Sequence, residues 1–314
     1  MRLLTFDGKQ VMQWDPPNLK MLPSRGQAVS LTLGLTAYAG EHHWPTGHEP
    51  WRCPYVRVNR LDGSYRLTLY DWPGPMVGGV GGLVADSPLY AATFDHNDDL
   101  ILLGWSDGGN SVLHCEPMDF MKSVSYKGLG MSGAGVAGAM HFGYVVRVST
   151  KTWRAIGGTM LCGFNPIYGP GSVSVDEGRV AADQSLMLIG TSAWGMPQTA
   201  NSLLQGHPAG NFIMVLTENC SMARFSSSMS ACGEVEVGLS RWGLVTGIQN
   251  GSPMALFVTG ATSSALLYGR DSAAPALNPL QPSYGGGDLD GHFTLLDLSA
   301  HPIASTPVKE EKLK

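Results

Sequence analysis

"LILLGWSDGG", residues 100–109, decides the fold, because it supports two incompatible readings. An apolar strand running into Gly-x-Ser-x-Gly is how an α/β-hydrolase presents its nucleophile, at a sharp strand-to-helix turn, and would make Ser106 catalytic. The same ten residues also read as one copy of a repeated strand, with Gly104 and Ser106 marking where the copy ends.

Repetition separates the two. Apolar runs reach a glycine in LTLGLTA at Gly34, LILLGWS at Gly104, LMLIGTS at Gly190 and LFVTGATSS at Gly260, at intervals of 70, 86 and 70 residues. A second element recurs in phase: PYVRV at 54–58, GYVVRV at 143–148, GNFIMVL at 210–216 and GHFTLLDL at 291–298. A polar turn and another strand follow, as in NRLDGSYRLTLYDW and TENCSMARFSSSM, and a further strand candidate precedes the glycine strand, as in GSVSVDEGRVAADQ and GLVTGIQN. One repeat thus supplies about four strands, the content of a propeller blade.

The expectation is an all-β chain, a β-propeller of about four to five visible four-stranded blades with long inter-strand loops. Its parts are N-terminal strands or a partial blade at 1–26, repeats over 27–305 (27–75, 82–162, 168–235, 238–305) and a polar tail at 306–314. The long segments between second and third strands, rich in Gly, Pro, Asn and Ser, are where recognition usually resides on a repeated scaffold.

Composition agrees. Of 314 residues, 43% are hydrophobic and 14% charged, enough to bury a large core, and 41 Gly with 20 Pro disfavour long helices. A net charge of −5 offers no clustered basic surface, so neither nucleic acid nor an anionic membrane is an expected partner. No apolar run is long enough to span a bilayer, which excludes membrane insertion by a helix, and MRLLTFDGKQ lacks the longer apolar core of a signal peptide.

The strands TFDHNDDLILLGWS, VAADQSLMLIGTS and MALFVTGATSS, followed by LNPLQPSYGGGDLDGHFTLLDLS, resemble the SBBP repeat, the seven-bladed β-propeller repeat family of bacterial secreted and surface proteins. The resemblance covers roughly residues 27–300. It implies an extracellular, cell-surface or periplasmic β-propeller that acts in protein–protein interaction, as a structural subunit, and not in catalysis.

A hydrolase needs a helix directly after Ser106, yet NSVLHCEPMDF has no apolar stripe at helical spacing, and the other copies carry no Gly-x-Ser-x-Gly. A non-enzymatic subunit holding a protein partner through its loop face is therefore the expectation, with a Ser106 serine hydrolase or a carbohydrate-binding propeller as alternatives. For the latter, Trp105 and Trp194 beside the repeat glycines could stack on a glycan or fill the wedge between blades. GLGMSG and GAGVAG, at 128–138, lack the helix and acidic residue that dinucleotide binding needs.

No cofactor is expected. His42, His43, His48 and Cys53 lie within twelve residues and are candidate Zn ligands, although their spacing fits no standard zinc module. DHNDD at 95–99 could hold Ca²⁺ or simply form a turn. Of five cysteines, Cys220 and Cys232 are close in sequence and could pair as a disulfide in an oxidising compartment; the alternative is two buried thiols.

Overall fold

A computed structural model describes residues 2–4, 10–13, 20–21, 26–43, 52–70, 86–107, 115–129, 141–165, 167, 169–180, 183–200, 202, 210–228, 243–249, 252–262 and 290–297. Among the described residues every regular element is a strand and none is a helix.

Four antiparallel sheets follow one another along the chain. The first joins β4 (Gln27–Ser30), β5 (Leu35–His43), β6 (Arg52–Arg60) and β7 (Tyr65–Leu69) in that order. Before it lie a hairpin of β1 (Arg2–Leu4) with β2 (Gln10–Gln13), and a short β3 (Lys20–Met21). The second sheet runs β8 (Leu89–Phe94), β9 (Leu100–Asp107), β12 (His141–Val148), β13 (Ala155–Leu161), with a small hairpin of β10 (Cys115–Glu116) and β11 (Asp119–Ser123) between β9 and β12. A second small hairpin, β14 (Gly163–Asn165) with β15 (Gly169–Gly171), leads into the third sheet: β16 (Val173–Val180), β17 (Leu186–Ser192), β18 (Gly210–Leu216), β19 (Ala223–Ser228). There β3 pairs with the free side of β16, adding a fifth strand. The fourth sheet contains β20 (Gly243–Gln249), β21 (Ser252–Thr262) and β22 (Asp290–Asp297).

The apolar sequence explains how the sheets stack. In a strand, alternate side chains face opposite sides, so a run apolar at every position must be covered on both. Leu100 and Leu102 pack toward the first sheet with Tyr144, Val146 and Val148, against Ala37, Val56, Val58 and Leu69. Ile101, Leu103 and Val145 pack toward the third, against Val173, Leu186, Leu188, Phe212 and Met214. The third sheet's other face carries Met187, Ile189, Ile213 and Val215, also buried. Neighbouring sheets approach one another through β4 and β5 beside β8, β12 beside β16, and β16 beside β20, with β3 reaching β8 as well.

Last strands are capped where they would otherwise expose pairing edges. Beyond the end of β7, Tyr70 N–H donates to Pro117 O at 2.7 Å; on β13, Gly158 N–H donates to Asn219 O at 3.3 Å; and Thr199 N–H donates to Ser226 O of β19 at 3.3 Å.

The repeat glycines need one correction. Gly104, Gly190 and Gly260 lie inside second strands, opposite Tyr144, Phe212 and His292 on the third. Gly34 does not: it is the last residue of the β4–β5 turn, with φ +65°, a left-handed conformation that suits glycine. The position in the first sheet that matches the others is Gly40, opposite Tyr55. A glycine inside a strand and one closing a turn both interrupt an apolar run, so the run alone did not distinguish them.

Candidate binding surface

Because consecutive strands are antiparallel, connections alternate between two ends of the stack. Among the described residues, one end carries short turns, at 31–34, 61–64, 95–99, 149–154, 183–185 and 217–222. Each holds one left-handed residue, respectively Gly34, Gly63, Asp98, Trp153, Gln184 and Cys220. The strand ends that bound the longer connecting sequences, 44–51, 70–88, 108–140, 162–172, 193–209, 229–242 and 263–289, lie at the opposite end.

At the long-connection end the first and second sheets bring together Arg52, Asp86, Trp105, Asp107 and His141. Register puts His141 directly across from Asp107, and its Nδ1 lies 2.9 Å from Asp107 Oδ1. The imidazole meets the Trp105 ring edge to face, with centroids 4.3 Å apart, and the Arg52 guanidinium lies over that ring at 5.8 Å. Arg52 N–H donates to Asp86 Oδ1 at 2.8 Å, and Asp107 N–H donates to Asp86 O at 2.9 Å. The Arg52, Asp107 and His141 side chains are about half exposed. The cluster offers a cation, an imidazole–carboxylate pair and an indole side by side, the mixture that makes polar protein contacts. None of Arg52, Asp86, Asp107 or His141 stood out in the sequence. The usable signal was positional: Asp107 ends the glycine strand and His141 begins the aromatic strand, so pairing those strands pairs the residues.

Ser106 lies within β9, 1% exposed, its Oγ 3.3 Å from Ser87 Oγ, which donates to it. The strand continues to Asp107, so no turn begins at the serine. Strand alternation that gives Asp107 and His141 one face gives Ser106 the other. Sequence neighbours with the chemistry of a triad are therefore kept apart.

Trp105 is held between Arg52 and His141. Trp194 packs on the β14–β15 hairpin, where a Cβ at Gly171 would overlap its ring. Both indoles thus serve contacts inside the chain.

His42 and His43 end β5, across from Cys53 and Arg52 in register; His48 lies outside the described residues. Among the described residues no group of three or more His, Cys, Asp or Glu side chains converges as metal ligands would. In DHNDD the carboxylates face protein donors: Asp95 accepts from Asn97 N–H at 2.8 Å and Asp99 N–H at 2.9 Å, Asp98 from Ser30 Oγ at 2.7 Å, and Asp99 from Thr150 N–H at 3.2 Å.

Cys220 is a free, buried thiol in the β18–β19 turn, whereas Cys232 lies outside the described residues. Cys220 therefore occupies the tip of a hairpin, and β19 separates it from Cys232. Burial pushes its thiol up to about 12 from 9.0, Arg147 opposing the shift. At pH 8 the folded chain keeps it protonated, and the stability this contributes is lost only as pH climbs from about 9 toward 12. Peptide-resolved alkylation at pH 8 is expected to leave Cys220 unmodified in the native protein and to modify it fully in urea. A Cys220–Cys232 disulfide found under non-reducing conditions would contradict this.

No helix among the described residues is long and apolar enough to cross a membrane. No protein-family model matches the chain, and no curated protein matches it in sequence.

Proposed function

We propose that the chain is a β-propeller of the SBBP-repeat type and a non-enzymatic binding or structural subunit, which holds a protein partner through its long-connection end outside the cytoplasm. The carrying observation is the polarity of the stack. Among the described residues six short turns occupy one end, while the strand ends that lead into the long connections and the Arg52–Trp105–His141 cluster occupy the other. In support, successive sheets are simple meanders, and neighbouring sheets approach through β4 and β5 with β8, β12 with β16, and β16 with β20. The buried position of Ser106 favours the binding reading over a serine hydrolase.

A photo-crosslinking residue placed at Asp107, compared with one at Asp62 in the opposite turns, tests this in cells of the source. The expected result is a discrete adduct with another protein from position 107 and none from position 62. Adducts from position 62 alone would reverse the polarity, and labelling of purified protein by a serine-directed phosphonate at Ser106 would replace binding with catalysis.

A further inference from the structure

Among the described residues no sheet packs on one face of the first sheet. Toward the second sheet it presents Ala28, Ala37, Val56, Val58, Leu67 and Leu69, all buried. On the other side stand Val29, 49% exposed, Tyr38, 43% exposed, and Tyr65, 56% exposed, together with Tyr55, Arg57 and Asn59. These side chains are arranged by one another: the Arg57 guanidinium lies over the Tyr65 ring at 5.6 Å, and Arg57 Nε donates to Asn59 Oδ1 at 3.1 Å.

Two observations say what belongs there. The row of a second-strand glycine opposite a third-strand aromatic points, in both inner sheets, toward the preceding sheet. Tyr144 opposite Gly104 packs toward the first sheet, and Phe212 opposite Gly190 packs toward the second. In the first sheet the equivalent pair, Gly40 and Tyr55, is on the face turned away from the second sheet, so that face is shaped for a preceding sheet of the same kind. Its composition, however, is tyrosine, arginine and asparagine where the covered seams use leucine, valine and phenylalanine. Tyrosine and arginine are what interfaces between separately folded chains enrich.

We infer that this face is a seam between chains, where the first sheet receives the last sheet of a second copy, so that two copies assemble head to tail. The fourth sheet follows the third through β16 and β20, and among the described residues no sheet succeeds it. Among the described residues, then, the first sheet has a face without a preceding sheet and the fourth sheet has none after it. Two such contacts close on themselves, as head-to-tail interfaces must to avoid filaments. If the propeller reading holds, the product is a ring of eight sheets, within the usual range of blade numbers; the seam itself does not require the ring.

Light scattering on the full chain between about 1 and 100 μM tests the seam. The expected mass is twice 33.4 kDa, and Tyr55→Asp and Arg57→Asp should each raise the dissociation constant by at least about tenfold without changing the circular dichroism of the dilute chain. A monomer throughout that range, or a dimer indifferent to both substitutions, overturns the seam. A Tyr38→Cys chain that readily crosslinks to itself at that position overturns the head-to-tail arrangement, because it places two first sheets together. Electron microscopy of the dimer tests the propeller reading separately.

Discussion

Asp95→Asn is expected to destabilise the fold by about 3 kcal/mol, the lower end of the penalty for breaking a buried ion pair, because the half-exposed Glu218, its Oε1 4.0 Å from Arg147 Nη1, still offsets part of the charge. Asp95 is fully buried and its Oδ2 lies 2.5 Å from Nη1 of Arg147, itself 1% exposed. The guanidinium also donates to the Gln184 carbonyl at 2.9 Å, so it joins the β8–β9 turn of the second sheet to the β16–β17 turn of the third. Asparagine keeps the turn's acceptor oxygen for Asn97 and Asp99 while removing the charge, which isolates the electrostatic contribution. Arg147→Met should cost a similar amount, with a distinctive pH dependence. Burial raises the Asp95 carboxyl above its ordinary 3.8, while Arg147 pulls it back down. Without the arginine the folded-state value rises further, so the stability contributed by the protonated acid is greatest below about 4 and lost as pH rises through that higher value. The deficit of the methionine variant, measured by urea unfolding, should therefore shrink as the pH falls from 8 toward 5. A deficit that stays constant over that range would mean the arginine acts through packing alone.

Gly190→Ala should cost about 3 kcal/mol, at the upper end of overpacking penalties. A Cβ at that position would overlap the backbone oxygen of Ser174 on β16 and reach the Phe212 ring at 3.0 Å. The carbonyl belongs to a paired neighbouring strand and cannot swing away. Gly104→Ala meets the Tyr144 ring and Pro88 O and should behave alike, whereas at Gly40 nothing stands within 4 Å of the added carbon. In dilute protein Gly40→Ala should therefore be nearly neutral. Thermal unfolding of the three variants checks the order, and a loss at Gly40 equal to that at Gly190 would count against the assigned register.

The strands themselves were legible, because apolar runs such as LILL and YVVRV are short, bounded by turn residues and repeated in phase along the chain. Their partners were less so. Arg147 sits inside YVVRV, and its counter-charge lies 52 positions earlier in a turn whose Asp-rich sequence also suits a calcium loop. The pairing of Asp107 with His141 spans a long connection whose length varies between copies, so no local spacing announces it. Gly34 and Gly40 lie six residues apart in an alternating stretch, and only the Gly40–Tyr55 register reveals which one continues the repeat. What stayed hidden were relations across strands, which depend on how far each connection lets the chain travel.

The division between the two ends also governs how such a protein can change. Lengthening a flexible connection costs little, only about 0.6 kcal/mol for each doubling. At the end that holds the long segments, insertions should thus accumulate almost without thermodynamic consequence. At the opposite end a single added residue would displace a left-handed turn position or the Asp95–Arg147 bridge. Natural variation and deliberate library design should accordingly concentrate on one rim, leaving the other as an invariant frame.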